Sequence, residues 1–240
     1  MPTYKLLGVG TNAKTIKGDG SEYLTAILYM TPYKVMVDGK SFNSCSMAEQ
    51  ASCIEGCLYT AGRGAFNNVQ TARQRKAEWF YRDKDSFMSQ LYEDITKFSN
   101  YCFKRGIKPC VRLNGTTDIR WELIKFSDGL NVFEQFSDVQ FYDYTKIPNR
   151  KADYPNYHLT WSYSSANAKY EDLFWDVIRK GMSVAVVFRK PIDMTTWRGY
   201  KVVDGDKDDL RFLDPKQSIV ALYAKGRAKK DTSGFVVDLH

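Results

Sequence analysis

The stretch Cys45-Ser-Met-Ala-Glu-Gln-Ala-Ser-Cys53-Ile-Glu-Gly-Cys57-Leu-Tyr-Thr-Ala-Gly-Arg63-Gly64 carries three of the chain's five cysteines, spaced C-x7-C-x3-C. An apolar, strand-like run from Tyr23 to Met30 precedes it, and a long helical region follows. Three thiolates in one loop behind a strand point to a soft-metal site, and three rather than four leave one coordination position open. On a helical turn Cys53 and Cys57 face the same side, and Cys45 must fold back across the small residues Ala48, Ala51 and Ser52.

Working outward, the chain alternates strand-like runs with helices or long connections. The polar, glycine-rich residues 10–20 read as a loop or hairpin. Phe87, Leu91, Ile95, Phe98 and Cys102 recur at helical spacing, and Gly106 stops that helix. Strand-like runs then end in polar clusters: Asn114 to Asp118, Asp143 to Lys146, Ser162 to Ser165, and Asp204 to Arg211. Ser183 to Phe188 is apolar throughout, as in a parallel sheet covered on both faces. In parallel α/β folds the carboxyl ends of the strands build the site, so these clusters are expected on one rim with the cysteines. The expected fold is α/β, an incomplete parallel (β/α) barrel of roughly six strands. It spans 1–240 as a single domain, with a cysteine-rich loop at 43–64 and a flexible basic tail at about 225–240.

The formal charge of +7 favours an anionic partner such as a nucleotide or nucleic acid. No run of about 18 apolar residues exists to span a membrane. The first residues lack the apolar core and cleavage site of a signal peptide, so a reducing cytoplasm is expected. There clustered cysteines bind metal or do redox work more often than they form disulfides. The cysteines can equally be small buried apolar residues, the reading given to Cys102 and Cys110.

Other constellations carry chemistry. Gly62 and Gly64 flank Arg63, which can fork onto a carboxylate or phosphate or stay solvated at a helix entry. Arg63, Arg73, Arg75, Lys76 and Arg82 surround Trp79, Phe80 and Tyr81, suiting stacked bases or merely a solvated helix face. Asp204, Asp206, Asp208 and Asp209 can hold magnesium or a ribose hydroxyl, or form a polar turn. His158 shares a strand face with Thr160 and Ser162 and is a candidate proton carrier or fourth ligand, with Asp143 and Lys146 as further catalytic candidates.

Two resemblances follow from these residues. Cys53-Ile-Glu-Gly-Cys57-Leu-Tyr-Thr-Ala-Gly-Arg-Gly64, Val111-Arg-Leu-Asn-Gly-Thr-Thr-Asp118, Val139-Gln-Phe-Tyr-Asp-Tyr-Thr-Lys146, Asp204-Gly-Asp-Lys-Asp-Asp-Leu-Arg-Phe-Leu-Asp-Pro215 and Ala224-Lys-Gly-Arg-Ala-Lys-Lys-Asp-Thr-Ser-Gly-Phe235 resemble the signature blocks of an uncharacterised bacteriophage protein family. That resemblance implies action in the cytoplasm of the infected bacterium. The strand, three-cysteine loop and strands ending in polar turns are also similar to the radical S-adenosylmethionine superfamily, whose usual spacing is C-x3-C-x2-C. It implies a four-iron cluster on Cys45, Cys53 and Cys57. The turn Asn114, Gly115, Thr116, Thr117 and Asp118 would then hold the methionine amine of S-adenosylmethionine, with Arg63, Ser162, Asp204, Asp206 and Asp208 gripping cofactor and substrate.

Three functions are therefore expected: an iron–sulfur enzyme acting on a nucleotide or nucleic acid, a non-catalytic host-takeover or nucleic-acid-binding module with a structural zinc, and a magnesium-dependent phosphoesterase. A host protein is a further possible partner.

Overall fold

A computed structural model describes residues 3–10, 22–150 and 153–239. The loop or hairpin expected at 10–20 lies, apart from Gly10, outside the described residues. Strand β1 (Leu7–Val9) pairs antiparallel with β2 (Tyr23–Leu28). A hairpin follows, β3 (Lys34–Val37) and β4 (Lys40–Asn43), which forms a separate two-stranded sheet. Its turn is Asp38-Gly39, with φ of 49° and 76°, the paired positive values that a tight two-residue hairpin turn demands.

The cysteine loop then runs through two short 3-10 turns, Leu58–Thr60 and Gly62–Ala65, into helix α1 (Asn67–Arg82). Helix α2 (Lys84–Phe103) starts at Asp83, whose carboxylate accepts the Ser86 N–H, and its stripe Phe87, Leu91, Ile95, Phe98 and Cys102 is buried. From the same face Asp94 accepts the Leu6 and Leu7 N–H groups, at 2.7 and 3.2 Å, and so ties β1 to the helix.

After α2 come β5 (Lys108–Arg112), the four-residue helix α3 (Val132–Gln135), β6 (Gln140–Thr145) and β7 (Tyr157–Ser162). Helix α4 (Ala168–Arg179) leads to β8 (Ser183–Phe188), the short β9 (Thr196–Trp197), β10 (Tyr200–Asp204) and β11 (Ile219–Tyr223).

These strands make one nine-stranded mixed sheet, in the order β1-β2-β5-β6-β7-β8-β11-β10-β9. From β2 to β10 every neighbouring pair is parallel, while β1 and β9 add antiparallel at the two ends. The expected incomplete (β/α) barrel is therefore corrected. A (β/α) barrel repeats one unit, with a helix after each strand and each new strand laid beside the last. Here the β6–β7 connection has no helix among its described residues, and β8 leads into an antiparallel ribbon. The last strand, β11, is inserted between β8 and β10.

The sheet buries both faces. On one, Ala26, Leu28, Val111, Phe141 and Leu159 meet α1 and α2, while Trp161, Val184, Val186 and Ile219 meet α4. On the other, Cys110 and Tyr142 are covered by Leu210 and Phe212, beside and within a 3-10 turn at Arg211–Leu213. In the basic C-terminal segment Phe235 and Val236 are buried, and Val237 bridges parallel to Phe188. Arg189 also clamps the Asp238 carboxylate and the Lys229 and Asp231 carbonyls. No helix of the described residues is long and apolar enough to cross a membrane.

Candidate functional site

A cavity of about 240 Å³ opens at the carboxyl ends of the parallel strands. Its wall takes Asn114 to Asp118 from beyond β5, Tyr144 to Lys146 from β6, and Ser162 from β7. Val187 from β8, Asp206 and Asp209 from beyond β10, and Leu222 and Tyr223 from β11 continue it. This is where an open parallel sheet presents loops and unpaired backbone to a ligand. Cys45, Cys53 and Cys57 line the same cavity.

The cysteine loop is positioned from both sides. At its start the Cys45 N–H donates to Asn43 Oδ1, and the Ser44 hydroxyl donates to Thr31 and Tyr33 carbonyls. In its middle Ala51 is fully buried against the α4 side of the core, and the Ser164 hydroxyl donates to its carbonyl at 2.8 Å. The Cys45 thiol lies 3.9 Å from the Thr116 carbonyl, so the loop and the β5 turn share a wall. Burial pushes the Cys45 thiol up to about 12 and Cys57 up to about 11, and raises Cys53 as well. All three are free, neutral thiols near pH 7. Among the described residues no group of three or more His, Cys, Asp or Glu side chains is placed to hold a metal ion.

The Asn114–Asp118 turn is a structural device before it is a ligand site. Asn114 Oδ1 accepts from the Thr117 hydroxyl, the Ile119 N–H and the Trp121 indole, and its amide donates to Asp143 and the Ile119 carbonyl. Asp118 accepts from the Thr145 hydroxyl, the Lys146 N–H and Arg150, with burial raising its pKa against the opposing Arg150 charge. What the turn offers the cavity is backbone at Gly115 and Thr116, where a side chain at 115 would strike β2.

Of the catalytic candidates, Lys146 alone lines the cavity. Its ammonium donates to the Tyr163 carbonyl at 3.0 Å and lies 4.7 Å from the Phe235 ring centroid. Burial lowers it to about 8, while Cys53 and Asp118 pull the other way. Asp143 lies beneath the wall, accepting the Asn114 N–H at 2.9 Å, and burial raises it to about 6. His158 does not line the cavity, and its Nε2 is unpartnered among the described residues.

Burial, with Arg211 adding to it, pushes the His158 imidazole down to about 4. The unfolded chain therefore takes up this proton first, and stability falls as pH drops from 6.5 towards 4, by about 3 kcal/mol at the low end. His158→Gln is expected to flatten that limb of the Tm-against-pH curve; an unchanged slope would mean that the ring titrates normally.

Ser162 and Asp206 reach the cavity; Arg63, Asp204 and Asp208 do not. Arg63 and Asp204 are exposed, and Asp208 pairs with Arg211 at 2.9 Å. Asp206 meets Lys225 at 2.7 Å and Asp209 meets Arg112 at 2.5 Å, so the acidic run diverges onto separate cations. The basic–aromatic face of α1 is likewise consumed by structure. Arg73 sits over Tyr29 and Tyr59, Lys76 donates to the Leu6 carbonyl, Arg82 pairs with Asp38, and Phe80 is in the core.

Sequence reading placed Tyr144 and Asp209 in clusters expected on this rim but missed Arg112, Lys225 and Phe235 as cavity residues. A signal existed for Arg112, since a charged residue inside an apolar strand demands a buried partner.

No curated protein matches the chain, no solved structure matches it, and none of the comparisons supports the radical S-adenosylmethionine resemblance. The family profile described as Gene product 88 matches residues 5–239, in keeping with the bacteriophage family the sequence resembles. With nearly its whole length covered, the chain belongs to the Gene product 88 family.

Proposed function

We propose that this protein is an iron–sulfur enzyme of the radical S-adenosylmethionine type, acting on a nucleotide or nucleic acid in the cytoplasm of an infected bacterium. The observation that supports this is the lining of one strand-end cavity by all three cysteines of a single loop. A single zinc ion with bonds of about 2.3 Å would draw its sulfurs to roughly 4 Å from one another. The thiols are not gathered in that way. A cubane cluster held by three thiolates keeps one iron open. The acidic loop gives magnesium little to bind, because Asp206, Asp208 and Asp209 each face a different cation.

Bound here, such a cluster supplies one-electron reduction at an iron with an open position. The chain's own groups do the rest. Cys45, Cys53 and Cys57 would ligate it. The Gly115–Thr116 backbone and the Asp206 carboxylate present acceptors to a bound amine or ribose hydroxyl. Lys146 places a cation beside the thiols, and Met47, Val187, Leu222 and Phe235 exclude water.

Anaerobic reconstitution is expected to give a coloured protein with about four irons and four sulfides per chain, bleached by a reductant. Cys53→Ala should lose both colour and iron. Because the thiols start protonated, loading at pH 7 should release about three protons per chain, and affinity should rise with pH. A colourless protein carrying one cysteine-dependent zinc would overturn the proposal.

A further inference from the structure

The cavity's mouth is built by two segments that touch. A Cβ on Gly226 would lie 3.1 Å from that of Ala61, and Arg227 reaches Glu55 at 3.6 Å. One segment, 56–66, contributes Leu58, which lines the cavity yet is 60% exposed, and Phe66, which is 59% exposed. The other, the 3-10 turn Gly226–Lys230, follows the cavity residue Lys225. Large apolar side chains left in water beside an opening mark a contact surface.

The charges there are unequal. Arg63, Lys229 and Lys230 are exposed, and no carboxylate pairs with them among the described residues. The nearby acids are engaged: Glu55 faces Arg227, Asp206 faces Lys225, and Asp231 accepts from Ser233 and the Val236 N–H. Arg189 adds no free cation there, since its guanidinium donates to Asp238 and two carbonyls. The rim thus carries solvated cations, and the exposed Phe66 ring follows three residues after Arg63.

We infer that this rim binds single-stranded nucleic acid, its phosphates along Arg63, Lys229 and Lys230 and a base against Phe66, so that the adjoining base can enter the cavity. A duplex must pay unstacking and unpairing to offer one base to the cavity, whereas a single strand stacks its bases freely on aromatic side chains. The inference deepens the functional reading above by naming its substrate class, and its test needs no cluster.

The experiment is fluorescence anisotropy of the apo protein with labelled 12-nucleotide DNA and RNA single strands and with the matching duplex, across a salt series. Wild type should bind a single strand more tightly than the duplex. The Arg63→Glu/Lys229→Glu/Lys230→Glu variant should lower the slope of log K against log salt by about 2, from roughly 0.7 per cation on single strands. Phe66→Ala should weaken binding roughly five- to hundred-fold at any salt. Both variants alter exposed side chains, and an unchanged Tm shows that they fold. Preference between DNA and RNA names the strand. Absent binding, equal or tighter duplex binding, or an unchanged slope in the folded triple variant would overturn the inference. The cluster proposal would survive any of these, just as colourless protein would leave the rim untouched.

Discussion

Arg150→Ala is expected to remove about 3–5 kcal/mol of stability, the scale at which one partner of a buried ion pair is lost. For a chain of this size that lowers Tm by roughly 6–20 °C. The Arg150 side chain is 0% exposed and pairs with Asp118 at 3.0 Å and Glu122 at 2.8 Å. It also donates to the Ile119 carbonyl and the Tyr157 hydroxyl, each at 2.9 Å. Tyr157 in turn donates to Asp143, which holds Asn114. Truncation leaves two buried carboxylates facing each other without a cation and breaks the chain of hydrogen bonds under the cavity wall. The variant should recover part of its deficit on acidification, because the Asp118 carboxyl, raised by burial, takes up a proton more readily in the folded state. Denaturant titrations at pH 7 and pH 5 test this. A deficit below 1 kcal/mol, or one that grows on acidification, would show that the carboxylates find other partners.

The next largest effect is expected at Gly115→Ala. The added Cβ would sit 2.6 Å from Tyr29 Cδ1, 2.7 Å from Ile27 Cγ2 and 2.8 Å from the Leu28 carbonyl oxygen. The Leu28 carbonyl already accepts the Gly115 N–H at 3.1 Å, so the obstruction includes backbone that is itself tied in place. Overpacking of this kind costs about 1–3 kcal/mol. Relief must come from moving the turn, which carries the Thr116 carbonyl beside Cys45. The variant should therefore lose affinity for iron as well as Tm, and the two readouts separate a displaced wall from a merely weakened fold. Wild-type iron loading in a variant with lowered Tm would place the strain elsewhere.

Much of the element order was legible. The helical stripe from Phe87 to Cys102, the apolar run at Ser183–Phe188 and the polar clusters behind several strands all carry local period or turn signals. The sheet's global form was not legible, because strand order depends on contacts far apart in sequence. Nothing local in Ile219–Tyr223 says that it inserts between two earlier strands. The β3–β4 hairpin carries a local signal in Asp38-Gly39, a hairpin dipeptide. At the site, residue types were readable and partners were not. The aspartates of 204–214 looked like a cluster, yet Asp206 meets Lys225, Asp209 meets Arg112, and Asp208 and Asp214 share Arg211. The arginines of α1 looked like a face for phosphates, yet Arg73 is folded between two tyrosines. Side chains long enough to reach distant partners defeat spacing arguments.

The closing wall of the cavity has a temporal consequence. Lys225, Ala228 and Phe235 are made after every other residue that borders the opening, and Phe235 lies against Gly56 of the cysteine loop. Until that segment docks, the thiols face open water on that side. The wall on that side is therefore complete only once the C-terminal segment has docked.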